Sequence, residues 1–380
     1  MSGIYIHIPF CKQACHYCDF HFSTSLKKKD KIVQALAKEL EIRNDELKNQ
    51  TIETIYFGGG TPSLLTNEEL SMLINEVYNN FNVIDNPEIT LEANPDDLLS
   101  VRAQSRTIFE DYKTIGINRL SIGVQTFFED DLQNMNRAHN SEEAKECLSM
   151  ATRYFDNITI DLIYGIPNMS LEKWNENLQT AFKFGVNHIS SYALTVEPKT
   201  ALDSFIKKGT YPPIDEELAL KHFNHLITET KKQGFVHYEI SNFGKPNYYS
   251  KHNTSYWQGK PYLGIGPSAH SFNQNKRSWN VSNNTRYIKS IEQNELPSTV
   301  ETLSEKDRFN EYIMTGLRTI WGISLSKVQE DFGIEFKHNL LNSTKIYLES
   351  NSLEIKEDHI TATQKGKFLI DGIASDLFLI

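Results

Sequence analysis

Three of the four cysteines in this 380-residue chain lie within eight positions, and this cluster limits the possible folds more than any other feature. Cys11, Cys15 and Cys18 stand in the stretch "FCKQACHYCDF", whereas Cys147 lies far away in a stretch that predicts a helix, where we expect a small core residue. The first ten residues have no basic leader and too short an apolar stretch for a signal peptide, so we expect a cytoplasmic protein. In a reducing compartment, clustered cysteines favour a metal centre over disulfide bonds.

The spacing Cys-x3-Cys-x2-Cys leaves two kinds of metal site open. A structural zinc ion takes four protein ligands. His7, His16 or His21 could supply the fourth, but no second Cys/His pair follows at zinc-finger distance. An iron–sulfur cube normally takes four thiolates, so with three thiolates one iron keeps an open coordination site. We therefore expect an iron–sulfur cluster held by the three cysteines, whose open iron binds a substrate or a cofactor.

Composition and charge exclude several classes of protein. A hydrophobic content of 39% and a charged content of 23% are typical of an ordinary globular domain. The net charge of −10 argues against a broad electrostatic grip on nucleic acid. No apolar run approaches the roughly 20 residues of a membrane-spanning helix, and only a peripheral membrane contact stays open.

Short β-rich runs alternate with helical stretches from "IYIHI" (4–8) to "VNHISSYALTVEP" (186–198). Such alternation predicts parallel strands with crossover helices, and six units make a partial barrel or an open doubly wound sheet. We expect the α/β fold of a partial (β/α)6 TIM-like barrel over residues 1–235. A loop-rich connecting region is expected over 236–300, and a small C-terminal α+β domain with helices and a winged-type β-ribbon over 301–380.

Polar residues recur at one place in these units. Glycines 58–60, Glu92, Gln125 and Asp161 lie late in their predicted strands or just after them. Ligands of α/β barrels bind at the carboxyl ends of the strands, so these groups predict one shared pocket. The alternative for any single residue is a turn position without a ligand.

The stretch "CKQACHYC" after the first strand and "GGGTP" after the second resemble the radical S-adenosylmethionine (SAM) superfamily. The resemblance implies a [4Fe–4S] cluster whose open iron chelates SAM through its amino and carboxylate groups. Reductive cleavage of SAM would then give methionine and a 5′-deoxyadenosyl radical. A run of glycines suits this role because backbone without Cβ atoms can approach a ligand closely.

Further segments narrow the resemblance. "YIHIPFCKQACHYCDF", "EANPDD", "RLSIGVQTF", "MNRAH" and "IDLIYGIP" look like the oxygen-independent coproporphyrinogen dehydrogenase family, in order from residue 5 to about 198 and again through the C-terminal part. That resemblance implies a SAM pocket whose residues are Tyr5, Tyr17, Gly59, Gly60, Thr61, Glu92, Gln125, Arg137 and Asp161.

Two departures point to another subgroup. The dehydrogenases carry a further cysteine where this chain has Phe20. Their N-terminal segment, which closes over the porphyrin pocket, is expected to be missing here. Both features resemble the heme chaperone subgroup, and "HNTSYW" (252–257) fits its His-Asn-x-x-Tyr-Trp signature. The resemblance implies heme contacts from His252, Asn253, Tyr256 and Trp257; the alternative is a packed loop with a satisfied histidine.

Three functions compete on these grounds. The first is a heme chaperone that binds heme and transfers it to an apo-protein recipient, with a SAM-binding [4Fe–4S] cluster. The second is the anaerobic oxidative decarboxylase of coproporphyrinogen III, which Phe20 and the expected absence of the closing segment disfavour. The third is a radical SAM enzyme that modifies RNA, which the acidic balance disfavours. We expect heme binding without coproporphyrinogen dehydrogenase activity.

Overall fold

The computed structural model describes residues 2–99 and 107–380. The range expected for the barrel, 1–235, thus includes residue 1 and residues 100–106, which lie outside the described residues.

Within the described residues, twelve strands form one sheet around which the rest of the chain packs. The strands are β1 (Ser2–Ile8), β2 (Ile52–Gly59), β3 (Val83–Ala93), β4 (Arg119–Gln125), β5 (Ile158–Tyr164), β6 (His188–Ala193), β7 (Val236–Glu239), β8 (Asn242–Gly244), β9 (Tyr262–Ile265), β10 (His270–Asn273), β11 (Lys276–Asn280) and β12 (Ser298–Thr302). Their order is β12-β11-β10-β9-β1-β2-β3-β4-β5-β6-β8-β7. The run from β9 to β6 is parallel, and the strands beyond it on both sides are antiparallel.

Helices connect the parallel strands and cover the sheet. They are α1 (Lys29–Ile42), α2 (Asn67–Asn80), α3 (Pro95–Leu98), α4 (Ile108–Thr114), α5 (Glu129–Asn134), α6 (Ser141–Tyr154), α7 (Leu171–Lys183), α8 (Ala201–Lys207), α9 (Glu216–Lys232), α10 (Lys251–Trp257) and α11 (Asn284–Glu292). The capping box that the sequence predicts at Thr66 and Glu69 is present at the start of α2. Six successive strand–helix units from β1 to α9 confirm the expected α/β fold class.

Residues 236–300, expected to be a loop-rich connecting region, contain several short strands and helices between their loops. This segment contains β7 to β12 together with α10 and α11, and β9 extends the parallel part of the sheet beside β1. The strands are only three to five residues long and are separated by tight turns with residues at positive φ, such as Ser268 and Gln274. Such short runs carry too little periodicity to be recognised, and pairing with the existing sheet edge stabilises them.

A buried polar network fastens this added segment to the first helix. Glu39 on α1 is 0% exposed, and its carboxylate accepts hydrogen bonds from the backbone N–H of Gly266 (2.8 Å) and from Asn280 Nδ2 (2.7 Å). Arg43, one turn later, donates to Glu39 Oε1 at 3.1 Å and to the carbonyl of Gly264 at 2.9 Å. The charged pair is therefore paired and hydrogen-bonded throughout, which is the condition under which a buried ion pair is tolerated.

The last part of the chain has its own apolar core. It contains α12 (Glu305–Leu317), β13 (Ile323–Ser324), α13 (Leu325–Phe332), α14 (Ile334–Glu349), β14 (Leu353–Lys356), β15 (His359–Ala362), α15 (Gln364–Lys367) and α16 (Ile370–Asp376). The strands form a separate antiparallel sheet in the order β13-β15-β14. The helices pack around Phe309, Ile313 and Ile360, all 0% exposed. This α+β unit agrees with the expected C-terminal fold.

No helix among the described residues combines the length and the apolar content needed to cross a bilayer.

We expect Glu39→Gln to lower the free energy of unfolding by about 3 kcal/mol, because an amide NH2 would replace a carboxylate oxygen that accepts hydrogen bonds from buried donors, and Arg43 would keep only its second carboxylate partner, Glu46. Urea unfolding of the variant and of the wild type measures the change. Glu41→Gln on the same helix is the control, since Glu41 is exposed and pairs only with Lys38 in the described structure. That change should stay within about 0.5 kcal/mol. Equal effects of the two substitutions would contradict a structural role for the buried network.

Candidate functional site

The cysteine loop follows β1 and is held in place by backbone hydrogen bonds. Cys11 N–H donates to the carbonyl of Ser23 at 3.1 Å, and His16 N–H donates to the carbonyl of Met135 at 3.1 Å. The thiols of all three loop cysteines are half-buried and free of disulfide bonds. These contacts fix both ends of the loop beside the carboxyl ends of the parallel strands.

The geometry of the cysteine loop does not suit a site for a single metal ion. Within residues 2–99 and 107–380, no three His, Cys, Asp or Glu side chains converge on one metal ion, as a structural zinc site requires. In a cluster each thiolate binds its own iron, so the sulfur atoms need not meet at one point. Three free thiols on one short loop fit that donor set.

A guanidinium group lies against the loop. Arg137 Nη1 donates to Cys15 Sγ at 3.2 Å, and Nη2 donates to Asn94 Oδ1 at 2.6 Å and to the carbonyl of Gly123 at 2.9 Å. Burial raises the pKa of the Cys11 thiol to about 11, so the loop opposes thiolate formation in the absence of a metal. The positive charge of Arg137 acts in the opposite direction and stabilises negative charge on the sulfur atoms.

The glycine turn that follows β2 touches the start of the cysteine loop. Gly59 has φ 106°, and a Cβ atom there would lie 2.4 Å from His7 Nδ1. A Cβ atom at Gly60 would lie 2.5 Å from the carbonyl oxygen of Phe10. Any side chain at either position would displace neighbouring atoms, so glycine is required and the backbone beside the cavity stays bare.

Two half-buried carboxyl groups line the same site. Glu92, at the end of β3, accepts a hydrogen bond from Tyr56 Oη at 2.7 Å and one from Gly59 N–H at 3.1 Å. Burial raises the pKa of Glu92, and burial followed by the charge of Glu92 raises the pKa of Asp161, on β5, to about 7. Two acidic groups held close together in a poorly solvated wall suit a ligand that brings positive charge and hydrogen-bond donors. The sulfonium, amino and ribose hydroxyl groups of SAM have these properties.

These groups line one cavity of about 430 Å3, which we call the first cavity. The predicted site residues around it are Cys11, Cys15, Cys18, Tyr17, Gly59, Gly60, Thr61, Glu92, Gln125, Arg137 and Asp161. Tyr5 does not line it; its ring packs beneath, with its centroid 6.0 Å from that of Tyr56. Gln125 adopts the left-handed backbone conformation, with φ 66°, a strained geometry that recurs at binding sites.

Sequence reasoning missed several lining residues. Asn94, Ser121 and Gly123 also line the first cavity, and Asn94 and Gly123 are the hydrogen-bond acceptors that orient Arg137. Asn94 comes directly after β3, so the same strand-end argument that selected Glu92 applies to it. Ser121 and Gly123 lie inside β4 and carry no such signal.

The segment "HNTSYW" forms helix α10, which packs against β1 and β2 near their amino ends. His252 is 1% exposed and lies on this helix, within the region expected to be loop-rich. Its Nδ1 lies 2.7 Å from Thr54 Oγ1, and its Nε2 lies 2.7 Å from Tyr256 Oη. An iron atom would reach either nitrogen only after one of these contacts is broken. Burial lowers the pKa of His252 to about 3, so the imidazole is neutral.

Tyr256 and Trp257, from the same helix, line another cavity of about 850 Å3, which we call the second cavity. It lies between strands β9 to β11 of the large sheet and the C-terminal unit. In the C-terminal unit, α12, β13, α13 and β15 contribute residues that line this cavity. His252 and Asn253 are not among its lining residues. Among residues 2–99 and 107–380, none lines both cavities.

Family models and solved structures agree with this architecture. Residues 5–181 match the radical SAM superfamily, and residues 303–369 match the HemN C-terminal domain. The solved structure of coproporphyrinogen III oxidase (HemN) from Escherichia coli, a radical SAM enzyme, superposes with a TM-score of 0.84. It is 22% identical, and the match covers 99% of this chain and 90% of that chain. This likeness shows a common fold.

Curated relatives match over nearly the whole length. A protein from Bacillus subtilis named heme chaperone HemW is 33% identical, over 97% of this chain and 97% of the relative. A protein of the same name from Buchnera aphidicola subsp. Acyrthosiphon pisum is 34% identical, over 99% of this chain and 98% of the relative. Another protein of this name, from Mycobacterium tuberculosis (strain H37Rv), is 30% identical over 99% of this chain and 94% of the relative. The chain therefore belongs to the HemW family within the radical SAM superfamily.

Proposed function

We propose that this protein is a heme chaperone, which binds heme and passes it to an apo-protein in the cytoplasm. The observation that carries the proposal is full-length similarity to proteins named heme chaperone HemW, at 33% identity in the Bacillus subtilis relative. Two residues of the His-Asn-x-x-Tyr-Trp signature, Tyr256 and Trp257, line a cavity large enough for a porphyrin-sized ligand.

Membership of the radical SAM superfamily implies a [4Fe–4S] cluster and SAM, and we place both in the first cavity. Cys11, Cys15 and Cys18 are the proposed iron ligands. When bound, the cluster supplies an electron-transfer centre beside SAM. The chain's own residues balance the negative charge of the thiolates and orient the backbone beside them. Arg137 donates a hydrogen bond to the sulfur of Cys15, and Glu92 accepts one from the backbone N–H of Gly59.

The remaining SAM contacts follow from the lining of the same cavity. Gly59 and Gly60 offer bare backbone, and Thr61 is buried at the end of the turn. Asp161 lines the cavity, where its carboxyl group can accept a hydrogen bond from a ribose hydroxyl or an amino group of SAM. Gln125 and Tyr17 complete the wall. Tyr5 acts from beneath, through its stacking on Tyr56, and not by direct contact.

For heme, we assign contact to Tyr256 and Trp257, and a positioning role to His252 and Asn253. Tyr and Trp rings offer flat apolar area for a porphyrin face. His252 fixes Tyr256 through the contact between Nε2 and Oη at 2.7 Å. Asn253 N–H donates the capping hydrogen bond of α10 to Ser250 Oγ at 3.2 Å.

The competing function is oxidative decarboxylation of coproporphyrinogen III, and its support is the fold shared with HemN. A decarboxylase must hold SAM and a tetrapyrrole together beside the cluster. The first cavity measures about 430 Å3, near the small end of the range of about 300–1,000 Å3 for ligand sites. A site of that size suits the cluster and SAM without a tetrapyrrole beside them, and this favours the chaperone.

Purified, anaerobically reconstituted protein should bind heme and should not convert coproporphyrinogen III in the presence of SAM and reductant. A heme titration followed by the Soret band tests the first part, and product analysis tests the second. Trp257→Ala should weaken heme binding and leave the iron–sulfur absorption intact, because Trp257 lies outside the first cavity.

Trp279→Ala is the matched control, since Trp279 lies on β11 and does not line the second cavity. Turnover of coproporphyrinogen by the wild type, with no heme retained, would establish the decarboxylase instead.

Replacing any one of Cys11, Cys15 and Cys18 with Ala should abolish the broad visible absorption of the reconstituted cluster, because a cube with two protein thiolates loses an iron ligand. Iron analysis of the wild type should give about four irons per chain. Cys147→Ala is the control, since Cys147 is fully buried on α6. A cluster lost with Cys147 and kept without Cys18 would refute the ligand assignment.

The SAM-free protein should lose stability as the pH rises through about 7, where Asp161 ionises. Its folded pKa lies above the unfolded value of about 3.9, so the folded state binds the extra proton and its advantage disappears at higher pH. Asp161→Asn removes this dependence. Between pH 5.5 and pH 8.5, the Tm of the wild type should therefore fall by several degrees relative to the Tm of the variant.

Asp85→Asn, which makes the same chemical change at an exposed position on β3, serves as the control. A constant Tm difference for Asp161→Asn across that range would show that Asp161 does not carry the buried proton.

A further inference from the structure

The second cavity has the form that a flat ligand requires. Tyr256 and Trp257 on α10, with Tyr262 on β9, form one aromatic wall, and the rings of Tyr256 and Tyr262 meet edge to face with centroids 4.4 Å apart. Tyr312 on α12 and Phe332 on α13 face the cavity from the C-terminal unit, with ring centroids 6.4 Å apart. Broad aromatic surfaces contributed by both units bury a planar macrocycle more effectively than a flexible chain.

Three basic side chains line the same cavity, and they differ in whether they form an ion pair with a carboxylate. Arg277 forms an ion pair with Glu311, and Lys327 forms one with Asp331. Arg308 also lines the cavity, where its guanidinium lies over the ring of Phe332 at 5.9 Å. Within the described residues no carboxylate pairs with it.

An Arg fork without a carboxylate partner suits a carboxylate on the ligand. A guanidinium binds a carboxylate through two parallel N–H···O bonds, and such charge-assisted pairs are stronger than neutral hydrogen bonds. Heme combines a flat apolar ring with two propionates at one edge. Aromatic walls together with an unpaired guanidinium at the side of the cavity match both parts of that ligand.

We propose that the second cavity is the heme site and that Arg308 binds a heme propionate. The inference rests on the proposed heme-binding function and goes beyond it, because it places the cargo between the sheet edge and the C-terminal unit and names a residue outside the His-Asn-x-x-Tyr-Trp signature.

Arg308→Gln tests the assignment by heme titration of the reconstituted full chain. Loss of a charge-assisted pair should weaken heme binding about tenfold or more. Arg308→Lys keeps the positive charge but not the forked geometry of the guanidinium. Its affinity for heme should lie between that of Arg308→Gln and that of the wild type. Arg286→Gln, at an exposed position on α11 that does not line the cavity, should bind heme as the wild type does. Unchanged cluster absorption and circular dichroism establish that each variant is folded.

The dimethyl ester of heme, in which both propionates are blocked, provides the second arm. The wild type should bind the ester about tenfold more weakly than heme, whereas Arg308→Gln should bind the two with similar affinity. A variant that keeps the full preference for the free acid, or binds heme as tightly as the wild type, overturns the Arg308 assignment while heme binding itself stands. A wild type that binds no heme overturns the proposed function, and the assignment fails with it.

Discussion

The close approach of two backbone segments at Gly60 is the constraint on which the first cavity depends. Gly60 N–H donates to the carbonyl of Ile8 at 2.9 Å, and Thr61 N–H donates to the carbonyl of Phe10 at 2.7 Å. These two bonds join the end of β2 to the start of the cysteine loop. Only glycine permits them, since a Cβ atom at Gly60 would lie 2.5 Å from the Phe10 carbonyl oxygen. The sulfur atoms therefore keep a fixed position relative to the acidic wall that Glu92 begins.

Much of this site could be predicted from the sequence because its signals are local. The cysteine spacing and the glycine run are each contained in one short segment, and Glu92 and Asp161 lie on β-rich runs that alternate with helices. The carboxyl ends of parallel strands meet at one edge, so local positions translate directly into a shared pocket. Asn94 satisfies the same argument, since it follows β3 directly, although an amide at such a position is also typical of a turn.

The environment of His252 could not be predicted, because residues far away in the chain determine it. Its ring contacts Thr54, which is 198 positions earlier, and its backbone N–H donates to Glu88, which is 164 positions earlier. No pattern within "HNTSYW" indicates that α10 will pack against β1 and β2. The short strands of 236–300 escaped detection for a related reason, since each is stabilised by pairing with the existing sheet and not by its own propensity.

A continuous set of side chains connects the two cavities through the barrel. Tyr56 donates to Glu92 at one end, and its ring stacks on His252 with centroids 4.9 Å apart at the other, where His252 contacts Tyr256. These packed rings lie between the two cavities, and none of the described residues lines both. Steric exclusion therefore does not operate between them. A ternary complex of the protein with a cofactor in one cavity and a second ligand in the other fits the molecule, and neither occupant has to leave before the other enters.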